Sequence, residues 1–305
     1  MKAFAKRLQT IFVAAALAML AARAVAALNV FACEPEWAAL AVELGGDQVN
    51  VYSATTGLQD AHRVEAKPSL LARARNADLA VCTGAELETG WLPVVLREAG
   101  NAQIQPGRPG YFEAAQVITL LEKPTRLDRA EGDVHAAGNP HIQTDPRNIA
   151  RVAEALAQRL AQLAPAQAGY FEARHRAFAD RWQAAIRNWE ARAAPLAGRA
   201  IVVQHRAFPY LQQWLRLREV AALEPKPGIE PSVAYLSQVL AQLKREPAQM
   251  VVCAAYQNDR PARWIAERAK VPVVILPFTV GGTPRAKDLY GLFDDTIDRL
   301  LEAVR

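Results

Sequence analysis

Residues 59–68, QDAHRVEAKP, hold His62, one of five histidines in this 305-residue chain. Ahead of them, residues 47–53 read as a strand. Behind them, Pro68 opens a helix over 68–76, at a first-turn position where its missing N–H leaves no partner unpaired. A polar strand-to-helix loop at the open end of a sheet is where α/β proteins present ligand-binding groups. Extending this strand–loop–helix rhythm in both directions decides the fold.

Upstream, residues 27–33, ALNVFAC, form a buried strand. Residues 35–44 form a helix with Trp37, Leu40, Ala41 and Leu44 on one face, stopped by Gly45 and Gly46. Downstream, 78–82 is a third strand and 91–99 a helix, with short strands expected at 102–105 and 117–121. A polar, irregular loop over 123–140 contains His135, and His141 closes it. Asp145-Pro146 then caps a helix to about residue 163. Pro165 opens a longer helix to about 193, free of proline and glycine over 170–192. Its aromatic residues Tyr170, Phe171, Phe178, Trp182 and Trp189 read as a core stripe.

The rhythm then restarts. Strands at 199–203, 220–223, 250–253 and 273–277 alternate with helices at 211–215, 232–245, 261–270 and 289–304. The predicted class is α/β: two Rossmann-like lobes with parallel sheets joined by one long rigid helix. The lobes span 27–164 and 198–305, with 165–197 as the connector. No sequence-level repeat relates them.

Residues 1–26 read as a cleaved signal peptide. Lys2, Lys6 and Arg7 precede an apolar run over 11–22, and Ala24-Val25-Ala26 is an A-x-A cleavage site. The run is short for a membrane anchor, which is the competing reading. Cys33 lacks the small-residue context of a lipidated cysteine. The precursor carries +5, but its signal holds four basic residues and no acid. The remaining 279 residues have 32 basic against 31 acidic side chains, so charge makes no case for nucleic acid. Stable membrane insertion is not expected.

Export permits a disulfide. Cys33 and Cys82 each end an apolar strand, and neighbouring parallel strands would bring them together; two small buried thiols are the alternative. Cys253, in the apolar MVVC, reads as a buried structural thiol rather than a metal ligand.

His62, His141 and His205 occupy comparable loop or strand-end places, 79 and 64 residues apart. That spacing is no zinc finger, so a metal joining them must lie between the lobes. Three imidazoles with few carboxylates favour Zn²⁺ over Mn²⁺. Three histidines and a metal-bound water also describe a hydrolase, but no HExxH motif or general base stands out.

The chain resembles the zinc/manganese solute-binding proteins of ABC importers. The matching pieces are DAHRVEAKPS, NADLAVCTGAELETGWL, GNPHIQTDPRNIARVAEALAQRL, PAQAGYFEARHRAF, IVVQHRAFPYL and PSVAYLSQVLAQLKREPAQMVV. The resemblance implies metal ligands at His62, His141 and His205, a cleft between two lobes with limited hinge motion, and a periplasmic monomer. It implies Zn²⁺ as transported ligand, with manganese or another divalent ion as the alternative, and an ABC permease with its ATPase as partners. The chain departs from the family pattern at Leu276-Pro277-Phe278-Thr279-Val280-Gly281, which lacks the aspartate of an LDPLG-like segment, and at Cys253, where a strand-end acid is common. Its loop DRAEGDVHAAGNPH is also short. The fourth metal position is therefore expected to take water, His135 or a carboxylate such as Asp288, with water or His135 preferred.

Overall fold

Strand β1 (Leu28–Ala32) is an apolar run ending in three buried residues, as a central parallel strand requires. A computed structural model describes residues 26–124, 132 and 135–305. The proposed signal peptide therefore lies outside the described residues, apart from Ala26. After β1 come helix α1 (Pro35–Gly45), β2 (Val49–Ser53), α2 (Pro68–Arg75), β3 (Leu79–Cys82), α3 (Leu92–Ala99) and β4 (Tyr111–Glu113). Two helices follow, α4 (Pro146–Leu163) and the 26-residue α5 (Ala168–Ala193). The second half runs β5 (Ala200–Val203), α6 (Pro209–Leu215), β6 (Arg218–Ala222), α7 (Val233–Arg245), β7 (Met250–Ala254), α8 (Arg260–Ala269), β8 (Val273–Leu276) and α9 (Leu289–Glu302).

Each half forms one fully parallel four-stranded sheet. The orders are β2-β1-β3-β4 and β6-β5-β7-β8. In both, the first strand lies between the second and the third, so the chain changes direction across the sheet beside it. The crevice at the carboxyl ends of those strands is the ligand position of such folds.

The lobes match position by position there. Cys33 N–H bonds to Val81 O at 2.8 Å in the first sheet, and Gln204 N–H to Val252 O at 2.9 Å in the second. Cys33 and Cys82 thus correspond to Gln204 and Cys253. The first pair is joined as a disulfide, with Cα atoms 4.8 Å apart. Cys253 faces a glutamine instead, and is a free, buried thiol whose sulfur lies 3.6 Å from Gln257 Oε1. Burial pushes its pKa up to about 12.

Helix α5 joins the halves. Phe171, Phe178, Trp182, Ile186 and Trp189 are buried along one stripe. Trp182 stacks on Phe178 and meets Tyr290 and Phe293 of α9 edge-on, while its Nε1–H bonds to Pro146 O at 2.8 Å. Arg174 and Arg181 reach Glu43 of α1, and Arg192 reaches Asp294 and Asp298 of α9. One apolar core accordingly runs without a break from Val30 through α5 to Leu300.

Three expectations fail locally. The strand expected at 102–105 is a 3-10 turn, because Asn101 accepts the Gln103 N–H at 3.0 Å and donates to the carbonyls of Ala74, Arg75 and Ala77. At 117–121 no strand forms: Val117 ends a 3-10 turn, the Ile118 N–H bonds Ala115 O, and the Leu121 N–H bonds the Tyr210 hydroxyl. The fourth strand is Tyr111–Glu113, too short to show a period. Tyr170 is not in the core stripe; it is 37% exposed and its hydroxyl donates to Asp47.

Candidate metal centre

His62 lies in the loop after β2, and Asp60, two residues earlier, holds it. The Asp60 Oδ1 accepts the His62 backbone N–H at 3.0 Å and lies 2.8 Å from its ring Nδ1. Burial alone would raise the Asp60 carboxyl, but the hydrogen bonds from His62 outweigh this and hold it below its usual range.

His205 follows β5 at the crevice of the second sheet. Its Nδ1 lies 2.7 Å from Glu224 Oε2, which also accepts the Gly228 N–H at 2.7 Å. Glu224 stands beside it because Glu224 N–H bonds to Gln204 O at 3.0 Å, extending the β5–β6 ladder.

His141 comes from the loop before α4. That loop is tied to the second lobe: Tyr210 donates to Asn139 O at 2.7 Å, and Asn139 Nδ2 donates to Arg206 O at 2.9 Å. The Asn139 Oδ1 in turn accepts the His141 N–H at 3.0 Å. Gly138 takes φ +121°, and a Cβ there would meet Leu121 O at 2.7 Å, so the approach to His141 needs glycine. The His141 ring meets Phe278 edge-on, 5.2 Å between centroids.

The three histidines converge. One nitrogen from each of His62, His141 and His205 lies within 4.8 Å of the others. Ring centroids are 5.3 Å apart for His62–His141, 5.5 Å for His141–His205 and 6.1 Å for His62–His205. Among the described residues no carboxylate belongs to this group. His141 is 1% exposed, and its Nδ1 is buried with no hydrogen-bond partner. Burial, then the charges of His62, His205 and His135, drive its pKa well below the usual histidine value. A buried, neutral imidazole with an unused nitrogen is the state a soft or borderline cation needs. Cavities of about 300 Å³ and 240 Å³ flank the group, and His205 lines both.

His135 adjoins the group from one side. Its Nε2 is 3.2 Å from His62 Nε2, and its ring centroid is 6.5 Å from that of His141. Asp288 is a correction to the sequence reading: it caps α9, its Oδ1 accepting the Gly291 N–H at 2.8 Å, and it is not in the histidine group. Sequence reasoning passed over Asp60 and Glu224. Asp60 had a local signal, an acid two residues before the histidine. Glu224 had none, since only strand pairing brings it to His205.

Two parallel-sheet lobes with a cluster of imidazoles contributed from both define a bilobal binding protein of the solute-capture type. More particularly, residues 30–303 match the family described as zinc-uptake complex component A, periplasmic, and the chain belongs to that family. The high-affinity zinc uptake system protein ZnuA of Yersinia pestis is 27% identical over 218 residues, 66% of each chain. The manganese ABC transporter substrate-binding lipoprotein scaA of Streptococcus gordonii is 20% identical over 282 residues, 91% of this chain and 89% of that one. A crystal structure of ZnuA superimposes with a TM-score of 0.76 at 24% identity, over 91% of this chain and 99% of that one, which shows the shared fold. No helix among the described residues is long and apolar enough to cross a membrane.

Proposed function

We propose that the chain captures Zn²⁺ outside the inner membrane between lobes 27–164 and 198–305, and delivers it to an ABC-type permease worked by an ATPase. His62 and His141 act from the first lobe and His205 from the second. The observation that carries this reading is the convergence of one ring nitrogen from each of His62, His141 and His205 within 4.8 Å, with the His141 ring buried and its Nδ1 without a hydrogen-bond partner. An all-nitrogen donor group suits zinc better than the harder manganese ion, although manganese-named relatives exist. His135, beside His62, is the protein group best placed to complete a tetrahedron; water is the other candidate.

We read the site as binding rather than catalytic. A hydrolase needs a carboxylate free to take a proton from metal-bound water. Asp60 and Glu224 are each committed to a histidine Nδ1 and to a backbone N–H.

Titration of metal-free protein with Zn²⁺, Mn²⁺ and Ni²⁺ tests the reading. Tight one-to-one Zn²⁺ binding, weakened at least tenfold by each of His62→Ala, His141→Ala and His205→Ala, is the expected result. Unchanged affinity in all three variants would overturn it. His135→Ala decides the fourth position: weaker binding makes it a ligand.

A further inference from the structure

The three imidazoles differ in what stands behind them. His62 and His205 each present Nδ1 to a carboxylate oxygen, at 2.8 Å and 2.7 Å. His141 presents its Nδ1 to nothing. Neither carboxylate is itself free to turn. Asp60 Oδ1 is also held by the His62 backbone N–H, and Glu224 Oε2 by the Gly228 N–H. One carboxylate belongs to each lobe.

A neutral imidazole has one N–H and one lone pair, and a carboxylate at Nδ1 selects the form with hydrogen there. Nε2 is then the lone-pair donor, and it is aimed before any ion arrives. The charge balance points the same way. Three neutral imidazoles give a buried divalent cation no compensating charge, and an uncompensated buried charge is costly. Two fixed carboxylates, each one hydrogen bond behind a ligand, supply two negative charges without occupying a coordination position.

We propose that Asp60 and Glu224 are the positioning residues of the site, fixing His62 and His205 as Nε2 donors and supplying from behind them the negative charge that the ligand group lacks. The inference rests on the capture reading above. It assigns His141 a different part: a packed imidazole with no carboxylate behind its Nδ1 to select a tautomer before the ion binds.

The test uses the mature protein at a single pH of about 8. In metal-free protein, long-range ¹H–¹⁵N imidazole spectra should show His62 and His205 in the Nδ1–H form. Asp60→Ala should release His62 alone into a mixture of forms, and Glu224→Ala should release His205 alone, with His141 unmoved as the internal control. Zn²⁺ affinity by chelator competition should fall about 10- to 100-fold in each, as outer carboxylates behind metal-bound histidines typically contribute. Asp60→Asn and Glu224→Gln keep the shape and an acceptor oxygen but remove the charge. They should keep the tautomers and still lose affinity, and they decide the matter if the alanine variants fold poorly.

Tautomers unchanged in the alanine variants, or Zn²⁺ affinity within twofold of the parent across all four substitutions, would overturn the inference. The two readings fail differently. If the parent binds no Zn²⁺, or the histidine variants bind as the parent does, the capture reading fails. If histidine substitutions abolish binding while the carboxylate substitutions leave it intact, only the present inference fails.

Discussion

Thr279 donates its hydroxyl hydrogen to the carboxyl of Glu36, joining a loop after β8 to the first helix of the chain across 243 residues of sequence. Both side chains are buried. Nearby, a Cβ on Gly57 would meet the backbone of Gly281 at 2.3 Å, so this seam between the lobes admits no side chain at Gly57.

Burial pushes Glu36 up to about 7, opposed by the Thr279 bond and its own backbone and reinforced by the charge of Glu88. Glu88 is likewise raised to about 7, first by burial. A native carboxyl raised above its unfolded value near 4.5 holds its proton longer than the unfolded chain does. Its contribution is therefore full below about 4.5 and is lost as pH rises to about 7. His141 works in the opposite sense, because its depressed pKa adds stability above the usual histidine value that is lost as pH falls. Denaturant unfolding at pH 5 and pH 8 should give a smaller loss of stability toward pH 8 in Glu36→Gln than in the parent. An identical loss would refute the assignment.

The Cys33–Cys82 bond closes a loop with a sequence separation of 49. Loop entropy for that length corresponds to about 4 kcal/mol of stabilisation. Unfolded, unreduced protein should present one reactive thiol, Cys253, and Cys33→Ala/Cys82→Ala should lower the unfolding free energy by roughly 2–4 kcal/mol. Three reactive thiols would disprove the bridge.

Trp182 sits where α4, α5 and α9 meet. Trp182→Ala should cost about 3–5 kcal/mol from the cavity it leaves. Trp182→Phe should cost less, about 1–3 kcal/mol, chiefly because Pro146 O loses its donor. A Trp182→Phe variant as stable as the parent in calorimetric unfolding would argue against the hydrogen bond.

Tyr210 bridges the lobes at the loop before His141. Its hydroxyl donates to Asn139 O and accepts the Leu121 N–H at 3.0 Å. Tyr210→Phe leaves both backbone groups unpaired, and stability should fall by about 1–3 kcal/mol. Zn²⁺ affinity should fall several-fold as well, since Asn139 also holds the His141 N–H. Full affinity in a destabilised variant would confine Tyr210 to a structural part.

Most of the architecture was legible before any coordinates. Apolar runs such as LNVFA and MVVCA are parallel-strand signals, and prolines at 35, 68 and 146 open helices at the first turn. The errors fell on segments too short to carry a period. Tyr111–Glu113 has three residues, and residues 102–105 were turned by the side chain of Asn101. Tyr170 has the spacing of a core aromatic, but its hydroxyl found Asp47 at the surface.

By itself, the sequence determined two α/β halves, a long joining helix and three histidines at loop or strand-end positions, because burial patterns repeat over a few residues and are read locally. Only the tertiary structure decided that those histidines meet within 4.8 Å, that Glu224 backs His205, and that Asp288 caps a helix instead of facing them. Contacts between residues 19 to 243 positions apart depend on how two sheets dock through one shared core, and no local pattern encodes that docking.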